Sequence, residues 1–272
     1  MALADVTELI RARELTANLV RRDLKVRHRG TFLGMLWSLT TPLLLVGLYY
    51  FIFRYILKAA PLQDAARPDG NVVPFAVYFF GGLVIWNLFA SSVGGATGSI
   101  TGAGYLLNKV YFPRAILPLA TVLSALVTFG FELAVLVLAG LVFAGVPSFH
   151  LLWLPLIVAV ATVLAFGLAL ALSAVTVFLR DVAHFIGVFL QLWFWGTPII
   201  YSLNYLGDRS SLVRVIELNP MTGVVTSFRN VVLLARPPDF RLLAYDALVA
   251  VVALFAGAAI FGHWQKSFSE IV

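Results

Sequence analysis

The residue that stands out chemically is Glu132, an acid set inside a long run of apolar residues. Ionised Asp, Lys or Arg side chains at the centre of a bilayer cost about 2.5–3.5 kcal/mol on insertion scales, so an intramembrane acid is a functional candidate by default. It could relay protons in an ion-coupled carrier, or it could be protonated or hydrogen-bonded and packed against a neighbouring helix. No second acid or intramembrane histidine accompanies it to form a relay, which favours the structural role. The four histidines, His28, His150, His184 and His263, are scattered without metal-ligand spacing, and no G-x-S-x-G nucleophile motif is present. The glycine-rich stretch 94–104 lacks the Gly-Lys-Ser/Thr ending of a phosphate loop and reads as a flexible cytoplasmic end of a span. With no cysteine in the chain, thiol ligands and disulfides are excluded. The sequence therefore offers no catalytic, cofactor-binding or metal-binding set.

Aromatic residues carry more. Trp and Tyr normally collect at the two membrane–water interfaces, and Trp37, Tyr55, Trp153 and Trp264 fit that rule. Trp193 and Trp195 fall near the middle of the fifth apolar run, and Tyr49 and Tyr50 near the middle of the first. Rings with a flat apolar face and a hydrogen-bonding edge suit the CH faces and hydroxyls of sugars. They suit equally the filling of gaps between helices.

The elements that must position these residues are set by composition. Of the 272 residues, 61% are hydrophobic and 12% charged, against nearer half and a quarter in a soluble domain. This is an all-α integral membrane protein. A spanning helix needs about 20 apolar residues, and six runs qualify: 31–57, 72–92, 113–144, 151–179, 182–203 and 242–262. The third and fourth are joined by a tight turn and form a hairpin. An even number of spans puts both termini on one side. The N-terminal tail, with Arg11, Arg13, Arg21, Arg22, Lys25, Arg27 and Arg29, places that side in the cytoplasm. The net charge of +6 then reflects attraction to anionic lipid, not to nucleic acid. No cleavable signal peptide is visible, because the first apolar run is too long for one.

Residues 1–30 read as an amphipathic interfacial helix. Asp5 and Glu8 resemble a capping box. Val6, Leu9, Ile10, Ala17, Val20 and Leu24 share one side, and Arg11, Glu14, Asn18, Arg22, Lys25 and Arg29 the other, with Arg13 interrupting the apolar side. The alternative is a plain basic flank with no docking role. Residues 31–272 form a single six-span unit with an external segment at 204–241. Within that segment 221–235 is apolar but too short to span, which points to a re-entrant or interfacial helix. Asn219 and Pro220 fit its N-cap and first turn, and Pro237-Pro238 its end.

Four markers in order resemble the permeases of ABC transporters that export cell-surface polysaccharides. They are Arg22-Asp23-Leu24-Lys25-Val26-Arg27 followed by Gly34, Trp37 and Pro42; Asn108-Lys109-Val110-Tyr111-Phe112-Pro113-Arg114 with Pro118; Gln191 to Trp195 with Thr197-Pro198-Ile199-Ile200-Tyr201; and the external Asn219-Pro220. His28 departs from the family, which carries an aromatic there. The resemblance implies six spans, external gate helices before the last span, a homodimer, and two copies of a cytoplasmic ATPase that binds ATP and Mg. It implies a lipid-linked glycan cargo, of O-antigen, teichoic acid or galactan type, crossing the cytoplasmic membrane of a bacterium between protomers. Carried onto this chain, ATPase coupling falls to Arg22, Asp23, Lys25, Arg27, Asn108, Lys109, Phe112, Arg114, Arg180 and Asp181. The gate falls to Asn219, Pro220 and Arg229, and the glycan path to Tyr49, Tyr50, Trp193, Trp195 and Tyr201. Rival readings are a same-family exporter of a drug or lipid, and an ion-coupled carrier or membrane-embedded enzyme.

Overall fold

The computed structural model describes residues 12–27, 66–107, 112–143, 145, 148–203 and 210–268, with isolated positions between 40 and 55. Among these residues the fold is almost wholly helical, with a single isolated bridge between Ala66 and Val72. The described α-helices of eight residues or more are α1 (Arg13–Arg27), α2 (Phe75–Thr97), α3 (Ile116–Phe143), α4 (Leu154–Phe178), α5 (Asp181–Trp195), α6 (Ser210–Glu217), α7 (Thr222–Val232) and α8 (Phe240–Trp264). Among the described residues, four helical stretches are long and apolar enough to cross a membrane: Phe75–Thr97, Ile116–Phe143, Phe149–Phe178 and Phe240–Ser267. They correspond to the second, third, fourth and sixth runs of the sequence; most of the first run lies outside the described residues.

The fifth run behaves differently. Its helix α5 has 15 residues, about 22 Å at 1.5 Å per residue, against an apolar layer of about 30 Å. It stops at Gly196, and residues 196–202 continue as a non-helical turn. The apolar stretch continues to Leu203, but Pro198 supplies no N–H and disfavours helical geometry at Thr197.

Small residues let the spans approach. Where α4 crosses α8, a Cβ on Gly167 would lie 2.5 Å from the Ala253 carbonyl carbon and the Leu254 nitrogen, and one on Gly257 would collide with the Gly167 carbonyl. In a membrane, where lipid is as apolar as leucine, such close backbone packing is a main source of helix association. The α2 helix is the centre of the bundle: Phe79, Val84, Ile85 and Phe89 on it are fully buried.

The two ends of the bundle carry different additions. At one, α1 packs beside the C-terminal end of α2 and the N-terminal end of α3, with Leu19 in a cluster with Ile100, Phe112, Leu117 and Phe268. Its buried face is Thr16 and Leu19, flanked by the half-buried Leu15 and Asp23, while Ala17 is exposed. The docked face is thus rotated from the apolar side read off the sequence, and it includes polar atoms. Gly98 ends α2 and Gly102 sits in a single 3-10 turn, Thr101–Ala103, followed by the short helical turn Gly104–Leu107, so this end is ordered rather than a flexible tail. At the opposite end, α7 packs against the N-terminal half of α2 and near the C-terminal end of α3, where Leu233 meets Gly81 and Gly140.

Candidate functional site

At the α1 end, two of the candidate coupling residues, Arg22 and Asp23, line a small polar cavity of about 280 Å³. Arg22 and Asp23 from α1 face Gly98, Ser99 and Gly102 from the turn after α2, and Thr121 from α3. A Cβ on Gly98 or Gly102 would meet nothing within 4 Å, so these glycines widen the wall. Phe112 is buried, and the Arg114 guanidinium lies 5.9 Å from the Phe268 ring, tying the segment before α3 to the end of the chain. Phe178, at the end of α4, contacts Trp264 and Phe268 with centroids 5.1 and 6.4 Å apart. Arg180 and Asp181 follow it as an exposed corner. The structure thus brings Arg22, Asp23, Phe112, Arg114, Arg180 and Asp181 to one end. Lys25 is exposed on α1, Arg27 is its last residue, and Asn108 and Lys109 lie outside the described residues.

At the opposite end, a polar assembly joins α5, the turn after it, and the pair α6–α7. Asn219 is its hub. Its Oδ1 accepts from Trp193 Nε1 at 2.7 Å and from the Met221 N–H at 3.0 Å, and its Nδ2 donates to Gly196 O at 3.0 Å and Thr197 Oγ1 at 2.9 Å. Arg229 is 2% exposed. It donates Nη1 to Pro198 O at 2.7 Å and Nη2 to Ile199 O, and its guanidinium lies 4.0 Å from the centre of the Tyr78 ring. Gly82 makes the room, since a Cβ there would meet the guanidinium.

The α7 helix carrying Arg229 is buried along its whole length except Thr226 and Asn230. Its free N–H groups are met from another helix: Asp246 on α8, fully buried, accepts from the Val224 N–H at 2.7 Å. The N-cap of α7 is Met221 and its first helical residue Thr222, so Asn219 and Pro220 lie before the helix and not at its N-cap and first turn; the carboxylate that faces the helix N-terminus is Asp246, a second buried acid that the sequence reading passed over. The signal was its place among apolar residues early in the last run. At the other end of α7, Arg67 donates to Leu233 O at 2.9 Å and pairs with Asp69 at 3.0 Å. The Asn71 N–H, with Arg67 behind it, holds the Asp69 carboxyl below its ordinary range.

The aromatic candidates separate. Trp193 is half-buried, edge-on to Phe89 and Phe189 at 5.0 and 5.3 Å. Trp195 is 52% exposed on the face that also presents Phe185, Val188 and Leu192. Tyr201 donates its hydroxyl to Trp195 O at 3.4 Å. Both tryptophans occupy the last turn of α5, not the middle of a longer helix. Tyr49 and Tyr50 lie outside the described residues.

Glu132 is buried at the α2–α3 contact, where Asn87 Nδ2 donates to both carboxyl oxygens at 3.3 Å. Asn87, another polar residue inside an apolar run, was the unread half of this pair. Among the described residues, no three of His, Cys, Asp and Glu come together as a metal site.

These features define a multi-pass α-helical membrane protein whose buried polar groups fasten helices and turns to one another. The chain belongs to the ABC-2 type transporter family, whose family model matches residues 14–233. It is 33% identical over 267 residues, 98% of both chains, to the O-antigen export system permease protein RfbA of Myxococcus xanthus. Two proteins of the same name from Klebsiella pneumoniae are 27% and 26% identical over 260 residues, each match covering 95% of both chains. The resemblance read from the four sequence markers holds at the level of the family.

Proposed function

We propose that this chain is the permease subunit of an ATP-driven exporter that carries a lipid-linked polysaccharide of the O-antigen type across the cytoplasmic membrane of a bacterium. The observation that carries the reading is the end-to-end similarity to permeases named for O-antigen export. In this reading residues 31–272 are one six-span unit, residues 1–30 an interfacial helix, and both termini are cytoplasmic. Two copies of the chain enclose the path, because six packed helices leave no polymer-width channel of their own. Two copies of a separate ATPase bind ATP and Mg and dock on the α1 end. There Arg22, Asp23, Lys25, Arg27, Asn108, Lys109, Phe112, Arg114, Arg180 and Asp181 form the coupling surface. Asn219, Pro220 and Arg229 belong to the external gate, and Tyr49, Tyr50, Trp193, Trp195 and Tyr201 to the glycan path.

The exporter reading places every hydrolytic step in the partner. The purified chain, reconstituted alone, shows no ATP hydrolysis; joined to its partner ATPase, it supports ATP-dependent delivery of lipid-linked glycan to the outer face. Glycan delivery that persists when that ATPase is inactivated overturns the proposal, as does robust hydrolysis by the isolated chain. Delivery of a drug or an unmodified lipid in place of glycan supports the same-family alternative.

A further inference from the structure

The turn that follows the short α5 is buried at residues 197–200, and a backbone carbonyl buried away from water needs a donor. The carbonyls of Gly196, Pro198 and Ile199 find theirs in side chains from residues far along the chain, Asn219 and Arg229. Arg229 is an expensive choice, since a buried cation is costly without a carboxylate. Its surroundings are two carbonyl dipoles, the Tyr78 ring and the Gly82 backbone, and its buried Nε has no hydrogen-bond partner among the described residues. A guanidinium that leaves its Nε unpartnered while an N–H from each Nη converges on adjacent carbonyls is placed for those carbonyls.

We infer that Arg229 is a positioning residue that fuses α5, its terminal turn and α7 into a single moving body. When α5 shifts, α7 travels with it, and the turn 196–202 is never released into the apolar layer. Any opening at this end of the bundle lies outside the α5–α7 contact. The consequence for transport rests on the exporter reading; the anchoring itself does not. Lysine cannot replace Arg229, because a point charge lacks both the planar fork that spans two carbonyls and the flat face that stacks on Tyr78.

The chain has no cysteine, so single reporters can be introduced directly. Ile199→Cys places a thiol at a fully buried position of the turn, Ser202→Cys is a nearly isosteric second reporter in the same turn, and Ala165→Cys is a fully buried control on α4. Each is labelled with a membrane-impermeant maleimide in membranes containing the full transporter. With Arg229 present, labelling of the turn is slow. With Arg229→Gln or Arg229→Lys it accelerates by about tenfold or more, equivalent to about 1.4 kcal/mol of local closure, while the Ala165 control stays slow. Unchanged labelling of the turn, or equal acceleration at the control, overturns the anchoring. In the nucleotide-trapped transporter with Arg229 intact, the turn stays slow to label; acceleration there overturns the single body. The labelling comparison needs no cargo, so a failure of the exporter reading would appear as absent glycan delivery with the labelling pattern intact.

Discussion

Asp246→Ala removes the carboxylate that α8 presents to the start of α7. The Val224 N–H then loses its 2.7 Å partner in a buried position. An orphaned buried donor costs about 1–3 kcal/mol, and a carboxylate near a helix N-terminus contributes about 0.3–1 kcal/mol, reaching about 2 when buried. Against this, Oδ1 of Asp246 is buried without a partner among the described residues, so its removal returns part of the cost. The balance is a loss of about 2–3 kcal/mol. Asp246→Asn keeps an oxygen in place for the Val224 N–H and gives up the charge, its amide nitrogen taking the place of the unpartnered Oδ1, a loss of under about 1 kcal/mol. At about 2–4 °C per kcal/mol for a chain of this order of size, the alanine variant melts about 4–12 °C lower and the asparagine variant less than about 4 °C lower. Thermal unfolding in detergent, followed by tryptophan fluorescence, resolves the two. An alanine variant that melts with the parent refutes the capping argument. An asparagine variant as damaged as alanine refutes the division between bond and charge.

Gly167→Ala forces a methyl group onto the α8 backbone at 2.5 Å; overpacking of this kind costs about 1–3 kcal/mol, read as a lower melting temperature and a smaller folded yield. Glu132→Gln preserves shape and one of the two acceptors for Asn87 Nδ2, so export stays near parental level with no new pH dependence; abolished, pH-sensitive transport would revive the ion-coupled carrier. Trp193→Phe loses the bond to Asn219 and about 1 kcal/mol of stability. Trp195→Ala, changing an exposed ring, leaves melting unchanged and lowers glycan export.

The apolar runs that became α2, α3, α4 and α8 were legible because bilayer thickness imposes their length directly on the sequence. The end of α5 was not, since hydropathy continues through Ile199 and Ile200 while the helix stops; Pro198 was the local signal, and hydropathy outweighed it. The orientation of α1 was misread for a related reason. The helical wheel maximises apolar character, whereas the docked face meets a polar cavity and takes in Thr16 and Asp23. The candidate site divides the same way. Asn219 and Arg229 could be singled out as polar residues in unusual places, but their partners, the carbonyls of residues 196–199, lie 23 to 31 residues away. Backbone groups carry no sequence signature. Asp246 was visible as an acid within an apolar run, but its role, meeting the start of a helix that precedes it, depends on tertiary contact alone.

The placement of that cap has a bearing on biosynthesis. Ribosomes release the chain from its N-terminus, so α7 emerges before the acid that completes its first turn and before Gly257, against which α4 closes. Until the final helix has been handed to the bilayer, the nascent protein holds an unfinished α7 and an open seam along α4. A truncation within the last span should accordingly strand an insertion intermediate that cellular quality control recognises, while earlier spans are already in place.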